Sequence, residues 1–207
     1  MKAYIYVGGK IEPSRITEHP RGDDLLLAAD SGWHNATVLG ERPRVLLGDF
    51  DSFGEGELPK DAEIIRVPAE KDLTDTQLAV DFALSRGATE IVIIGGLSGR
   101  LDHTLSNLAI LEHLCALGVP AVINDGYNRA RFIRNNSTLI GRGAYRYISL
   151  LAADPVVKGV EIEGVKYPLK KATLKRNYQY AVSNEMTGNC AFISVRRGGI
   201  YIIESAE

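Results

Sequence analysis

The sequence predicts an α/β domain followed by a small all-β domain. Three observations carry the prediction. Short, wholly apolar runs alternate with helical patterns through the first part of the chain; past about residue 130 the grammar changes to short strands separated by glycine turns; and acidic segments recur where the apolar runs end. The first run is 3–7 (AYIYV), followed by 25–29 (LLLAA), 44–48 (RVLLG), 63–67 (EIIRV), 90–94 (EIVII) and 120–124 (PAVIN). Several are continuous rather than alternating, as expected when helices cover both faces of a parallel sheet. The clearest helix follows KDLTDTQ: Thr74 and Gln77 fit a capping box, and Leu78, Ala79, Phe82 and Ala83 form an apolar stripe ending near Gly87. A second helix follows Asp102, with Leu105, Leu108, Leu111 or Glu112, and Cys115 at helical spacing before Gly118 stops it. The first domain, 1–128, is therefore expected as a Rossmann-like parallel sheet with helices on both faces.

In the second domain, 129–207, the candidate strands lie in YRYISLLAA, VVKGVEIEGVKYPL, QYAVSNE, NCAFISV and GIYIIES. Turn signals at Lys158-Gly159, Glu163-Gly164 and Gly198-Gly199 favour an antiparallel sandwich or barrel. The chain has 207 residues, 45% hydrophobic and 24% charged, with a formal net charge of -2, which fits a globular protein and excludes a general nucleic-acid binder with a strongly basic face. Cys115 and Cys190 have no CxxC spacing and read as buried, reduced thiols. The N-terminal apolar run is too short for a secretory signal and no stretch suits a membrane span, so a cytoplasmic location is expected.

Four acidic stretches follow predicted strands: AADSG with Asp30, GDFDS with Asp49 and Asp51, KDLTD with Asp72 and Asp75, and GRLDH with Asp102. Alone, each Asp is a helix cap or turn former. Ligands of open α/β sheets, however, bind at the carboxyl ends of the strands, where four such loops converge. In an extended DFD the two carboxylates point the same way, about 6 to 7 Å apart at Cα, within reach of one hard cation. IVIIGGLSGRLDH runs a strand into Gly95, Gly96 and Gly99 and then a helix start, an arrangement that suits an anion. It fits neither the Walker nor the dinucleotide-binding glycine pattern. Arg100 offers a planar fork for phosphate oxygens, and His103 either touches phosphate or sits in the first helical turn. His19, His34 and His113 lack ligand-like spacing, and Trp33 reads as a packing residue.

ADSG, GDFDS, KDLTD and GGLSGRLDH, in this order and followed by a β-rich tail containing GVKYPLKKATL and AVSNEMTG, resemble thiamine pyrophosphokinase over almost the whole chain. Ser31, in D-S-G, stands where that family commonly has one more glycine, in D-G-G. The resemblance implies transfer of a pyrophosphoryl group from ATP to the hydroxyl of thiamine, giving thiamine diphosphate and AMP. It places Asp49, Asp51 and Asp75 around Mg2+ and the phosphates, with Asp102 beside them as a further catalytic carboxylate. It puts ATP near Asp30, Lys71, Asp72, Thr74, Gly95, Gly96, Arg100 and His103, and thiamine at Ser183 and Asn184. It further implies a homodimer with an active site shared between chains. One Asp, Asp102 or Asp75, would accept the hydroxyl proton. Two other classes compete: a magnesium-dependent phospho- or glycosyltransferase acting on another acceptor, and a sensor that binds nucleotide or thiamine without turnover.

Overall fold

The computed structural model describes residues 1–49, 61–67 and 72–206; Asp51 and Lys71 lie outside them. The chain forms two compact units, Met1–Gly126 and Tyr127–Glu207.

In the first unit, six parallel strands are β1 (Lys2–Tyr6), β2 (Leu25–Ala29), β3 (Val45–Gly48), β4 (Glu63–Arg66), β5 (Glu90–Ile94) and β6 (Ala121–Asn124). Their spatial order is β6-β5-β1-β2-β3-β4. The chain thus builds outward from β1 to β4, then returns to the other side of β1 for β5 and β6. The reversal falls between β1 and β5, and the crevice outside the carboxyl ends of strands at such a point is where ligands of open α/β sheets bind.

The period of two along each strand supplies both faces. Tyr4, Tyr6, Ala28, Leu46, Val92 and Ile94 form one buried cluster with Ile16 and with Ala36 of helix α1 (Gly32–Val38). The alternate residues Ala3, Ile5, Leu27, Ile91 and Ile93 are buried as well. So are Ala79, Val80 and Ala83 of α2 (Asp75–Ser85) and Ile110, Leu111 and Leu114 of α3 (Leu101–Ala116), the helices that pack against β1 to β3 and β6. This double coverage explains the continuous apolar runs. β4 is the exception: Glu63, Ile64 and Arg66 are exposed, as suits a sheet edge.

Helix α1 has no clear pattern in the sequence, because only seven residues with glycine at the start form it. In α2, Thr74 caps as expected by accepting the Gln77 N–H at 3.2 Å, but the Gln77 amide turns to Asp81 (2.8 Å) instead of closing the box. In α3 the buried face is rotated from the expected stripe. Leu105 is exposed and Leu108 and Cys115 are only half-buried, whereas Asn107, Ile110, Leu111 and Leu114 face inward. A polar residue inside the stripe hid its true phase.

The second unit is an antiparallel sandwich. One sheet has the order β12-β9-β14-β7 and the other β11-β10-β13-β8. The strands are β7 (Asn128–Arg134), β8 (Ser137–Gly141), β9 (Tyr147–Ala152), β10 (Val156–Glu163), β11 (Leu169–Lys175), β12 (Asn184–Glu185), β13 (Cys190–Arg197) and β14 (Gly199–Ser205). Inward residues of both sheets, among them Ile148, Leu150, Val160, Ile162, Leu174, Ile193, Val195, Ile200 and Ile202, make one core. Lys158-Gly159, expected as a turn, lies inside β10: the register against β11 shifts between Lys158 and Val160, and Gly159 (φ +67°) takes the left-handed step of a bulge. Cys190 is exposed rather than buried, and both cysteines are free thiols. Glu204, 1% exposed, receives two hydrogen bonds from Arg129 (2.8 and 2.7 Å) and a further ion pair from Arg131. No helix among the described residues is long and apolar enough to cross a membrane.

Candidate functional site

The crevice at the β1/β5 reversal holds a cavity of about 300 Å³, lined by Gly8 and Gly9 after β1, Asp30 and Ser31 after β2, Thr74, Asp75 and Thr76 at the start of α2, and Gly96, Ser98, Arg100, His103 and Asn107. Each lining residue comes from the carboxyl end of a strand or from the N-terminal part of α2 or α3. The N-termini of these helices present backbone N–H groups that favour an anionic ligand.

Backbone constraints place the carboxylates. Asp30 adopts a left-handed conformation (φ 45°), and its N–H donates to the Leu47 carbonyl at 2.9 Å. The turn's strain therefore falls on Asp30, and Ser31 stays in the ordinary helical region (φ -62°, ψ -4°), which is why serine is tolerated where the resembled family has glycine. A Cβ at Gly48 would lie 1.9 Å from Asp30 Oδ1, so the carboxylate needs glycine at the end of β3. Gly32 allows a comparable approach, since a Cβ there would lie 2.0 Å from the Tyr6 carbonyl oxygen. Asp75 opens α2 directly after its Thr74 cap, where a negative charge also suits the helix dipole.

Of the residues singled out from the sequence, Asp30, Thr74, Asp75, Gly96, Arg100 and His103 meet at this cavity. Asp49, Asp72, Gly95 and Asp102 are not among its lining residues. Asp49 follows Gly48 at the end of β3, Gly95 (φ 96°) leads into the lining loop, and Asp72 is exposed just before α2. Gly8, Gly9, Ser98 and Asn107 went unnoticed in the sequence. For Gly8 and Gly9 the YVGGK stretch was the available signal, a glycine pair directly after the first strand.

Asp102 is engaged by its neighbours. Arg100 grips it with two hydrogen bonds, Nε to Oδ1 at 3.1 Å and Nη2 to Oδ2 at 2.6 Å, and the His103 N–H donates to it at 2.9 Å. The Arg100 bonds foremost, then the His103 amide, hold its carboxyl at about 2. A base so far below neutral pH has little drive to take a proton. The same pairing raises Arg100 further above its ordinary range, so Arg100 remains fully charged.

Among the described residues no three His, Cys, Asp or Glu side chains group as a metal site. Two carboxylates, Asp30 and Asp75, do share the cavity. An all-oxygen donor pair beside a phosphate-sized space fits magnesium, which commonly uses one or two carboxylates together with phosphate oxygens and water.

In the second unit, Ser183 takes a left-handed conformation (φ 57°), and its N–H donates to Ser149 Oγ at 2.9 Å. Asn184 lines a cavity of about 160 Å³ with Ile148, Leu150, Tyr167 and Tyr180, whereas Ser183 does not. The Asn184 amide is engaged by backbone: Oδ1 accepts from Tyr167 N–H (3.0 Å) and Glu185 N–H (3.0 Å), and Nδ2 donates to the Tyr167 carbonyl (2.7 Å). Asn184 thus shapes the pocket by holding Tyr167.

A family model described as thiamin pyrophosphokinase, catalytic domain, matches residues 20–123, and one described as thiamin pyrophosphokinase, vitamin B1 binding domain, matches residues 136–200. Thiamine pyrophosphokinase of Bacillus subtilis (strain 168) is 29% identical over 197 residues, covering 93% of this chain and 92% of its own. Thiamin pyrophosphokinase 1 of Caenorhabditis elegans is 27% identical over 173 residues, covering 79% of this chain and 71% of its own. Among solved structures, the Bacillus subtilis thiamine pyrophosphokinase superposes with a TM-score of 0.90 at 25% identity over 100% of both chains. Yeast thiamin pyrophosphokinase shares the fold with a TM-score of 0.76 over 99% of this chain and 86% of its own.

Proposed function

We propose a division of labour for a chain that belongs to the thiamine pyrophosphokinase family and transfers a pyrophosphoryl group from ATP to the hydroxyl of thiamine, giving thiamine diphosphate and AMP. The observation that carries it is the cavity at the β1/β5 reversal, where two glycine loops, two helix N-termini, Asp30, Asp75 and Arg100 meet. The backbone N–H groups and Arg100 bind the phosphate chain, and His103 lies beside it. Asp30 and Asp75 would hold Mg2+, and the sequence offers Asp49 and Asp51 as further carboxylates for it. The metal, when bound, offsets charge on the transferring oxygens. Fixing the ATP chain in line with the incoming hydroxyl turns a bimolecular encounter into a positioned one. With Asp102 paired to Arg100 and so only weakly basic, Asp75 is the better candidate to accept the hydroxyl proton.

Thiamine is assigned to the pocket beside Asn184, where exposed Tyr167, Tyr180 and Val182 offer apolar and aromatic surface to a cationic heteroaromatic ligand. The same exposed surface supports the homodimer with shared sites. A cytoplasmic setting suits an ATP consumer with free thiols. The test is AMP release measured with ATP and magnesium, with and without thiamine. AMP formed only with thiamine supports the reading; AMP formed equally without it contradicts it. A phosphotransferase or sugar transferase would answer to another acceptor, and a sensor would bind without releasing AMP.

A further inference from the structure

Two buried side chains beside the cavity have no part in the chemistry above. Asn35 of α1 and Asn107 of α3 are each 5% exposed, in helices whose inward neighbours are otherwise small or apolar. Burying a primary amide costs about 1 to 3 kcal/mol unless it is hydrogen-bonded, so packing alone would favour leucine. Both amides are bonded, and to the same kind of partner. Asn35 Nδ2 donates to the Val7 carbonyl at 2.8 Å and the Gly9 carbonyl at 3.0 Å, and Asn107 Nδ2 donates to the Gly96 carbonyl at 2.8 Å. These carbonyls belong to the two glycine loops that leave β1 and β5. The loops are also tied to each other, by the Gly96 N–H to the Gly8 carbonyl (3.0 Å) and by Ser98 Oγ, which accepts from the Lys10 N–H at 2.7 Å. The fit leaves little slack: a Cβ at Gly96 would lie 2.7 Å from Asn107 Nδ2, and one at Gly95 3.2 Å from Asn35 Nδ2.

We propose that Asn35 and Asn107 are positioning residues for the phosphate chain of the nucleotide, acting by fixing the Val7, Gly9 and Gly96 carbonyls of the two glycine loops so that these oxygens do not turn toward the ligand. This rests on the nucleotide reading of the cavity. A carbonyl oxygen turned toward a triphosphate repels it, whereas an N–H binds it, and glycine loops move easily between such orientations. An amide donor on each carbonyl sets that choice before ATP arrives, and the ordering cost does not fall on binding. Both amides act on the first unit's cavity and neither belongs to the pocket beside Asn184, so the effect is specific to one substrate.

The test is the separate measurement of KM for ATP and for thiamine in Asn35→Leu and Asn107→Leu, which keep the branched shape in a bulkier side chain and remove the donor, and in Asn107→Ser, which keeps a shorter donor. Circular dichroism establishes folding. The expected result is a rise of about tenfold or more in KM for ATP in each leucine variant, with KM for thiamine within about twofold and the serine variant in between. An unchanged KM for ATP, or equal rises in both constants, overturns the inference. Should the leucine variants fail to fold, the serine variant decides by the same ratio. A wild-type protein that releases no AMP with ATP and thiamine instead defeats the reading of the cavity itself.

Discussion

Asp75 is the residue on which the proposed site turns, because it sets a carboxylate in the first turn of α2, beside the Thr74 cap, and in the cavity wall. Asp75→Asn removes the charge and the proposed proton acceptor while keeping shape, and turnover should fall at least ~10²-fold, as when one preorganised electrostatic group is lost. Asp51→Asn is expected to cost as much; steady-state kinetics of the two variants checks both. Asp102 carries a different expectation. Its carboxyl is held at about 2 by Arg100, below the ordinary value of about 4 in the unfolded chain. The pair's contribution to stability is therefore present above that ordinary value and fades as pH falls toward 2. Over the range from about pH 5 to 8 Asp102 does not titrate, so Asp102→Asn should leave the midpoints of the kcat/KM profile in place. A shifted midpoint would return Asp102 to the role of base. Acidic residues were the legible part of the site because Asp after an apolar run is visible in one dimension. The Arg100–Asp102 grip was not, since only side-chain rotamers decide whether two neighbours pair or diverge.

Among the elements, α2 was plain in the sequence because its cap and glycine stop bracket an apolar stripe, while α1 and the phase of α3 were not. Asn107 explains the second failure: its inward amide breaks the apolar period, and its partner, the Gly96 carbonyl, belongs to a different loop. β10 shows the same limit, for Lys158-Gly159 has the composition of a turn, yet pairing on both sides keeps it in the strand as a bulge. Two substitutions test the elements. Thr74→Ala deletes the α2 cap and should cost about 1 kcal/mol of stability in a denaturant melt. Gly32→Ala forces a Cβ to within 2.0 Å of the Tyr6 carbonyl and should be far more damaging, because backbone rather than a flexible side chain must yield. Equal melting for the two variants would contradict this account of the β2–α1 turn.

At the scale of the whole molecule, the sequence's two grammars correspond to two kinds of core. The parallel sheet is buried on both faces and reads as unbroken apolar runs; the sandwich is buried on one face per sheet and reads as alternation, as in Tyr147–Ala152. Strands such as β8 and β11 escaped notice because β11 exposes Lys and Thr, and β8 exposes Leu139 while burying only Ile140, so neither shows a clear apolar period. The sandwich also contains a charge network invisible to periodicity, Glu204 between Arg129 and Arg131. Glu204→Ala leaves two guanidinium groups with an uncompensated share of buried charge and should destabilise the protein by about 3 to 5 kcal/mol in a denaturant melt. A loss below about 1 kcal/mol would show the network to be dispensable.

The central claim is that the β1/β5 cavity delivers the terminal pyrophosphoryl group of ATP to thiamine. The most direct measurement follows ATP labelled at its γ-phosphorus in the wild-type protein and in Asp75→Asn. The account predicts that the label enters thiamine diphosphate one-for-one with AMP, and that Asp75→Asn slows this at least ~10²-fold. Label released as inorganic phosphate, or an Asp75→Asn protein that transfers it at the wild-type rate, would contradict it.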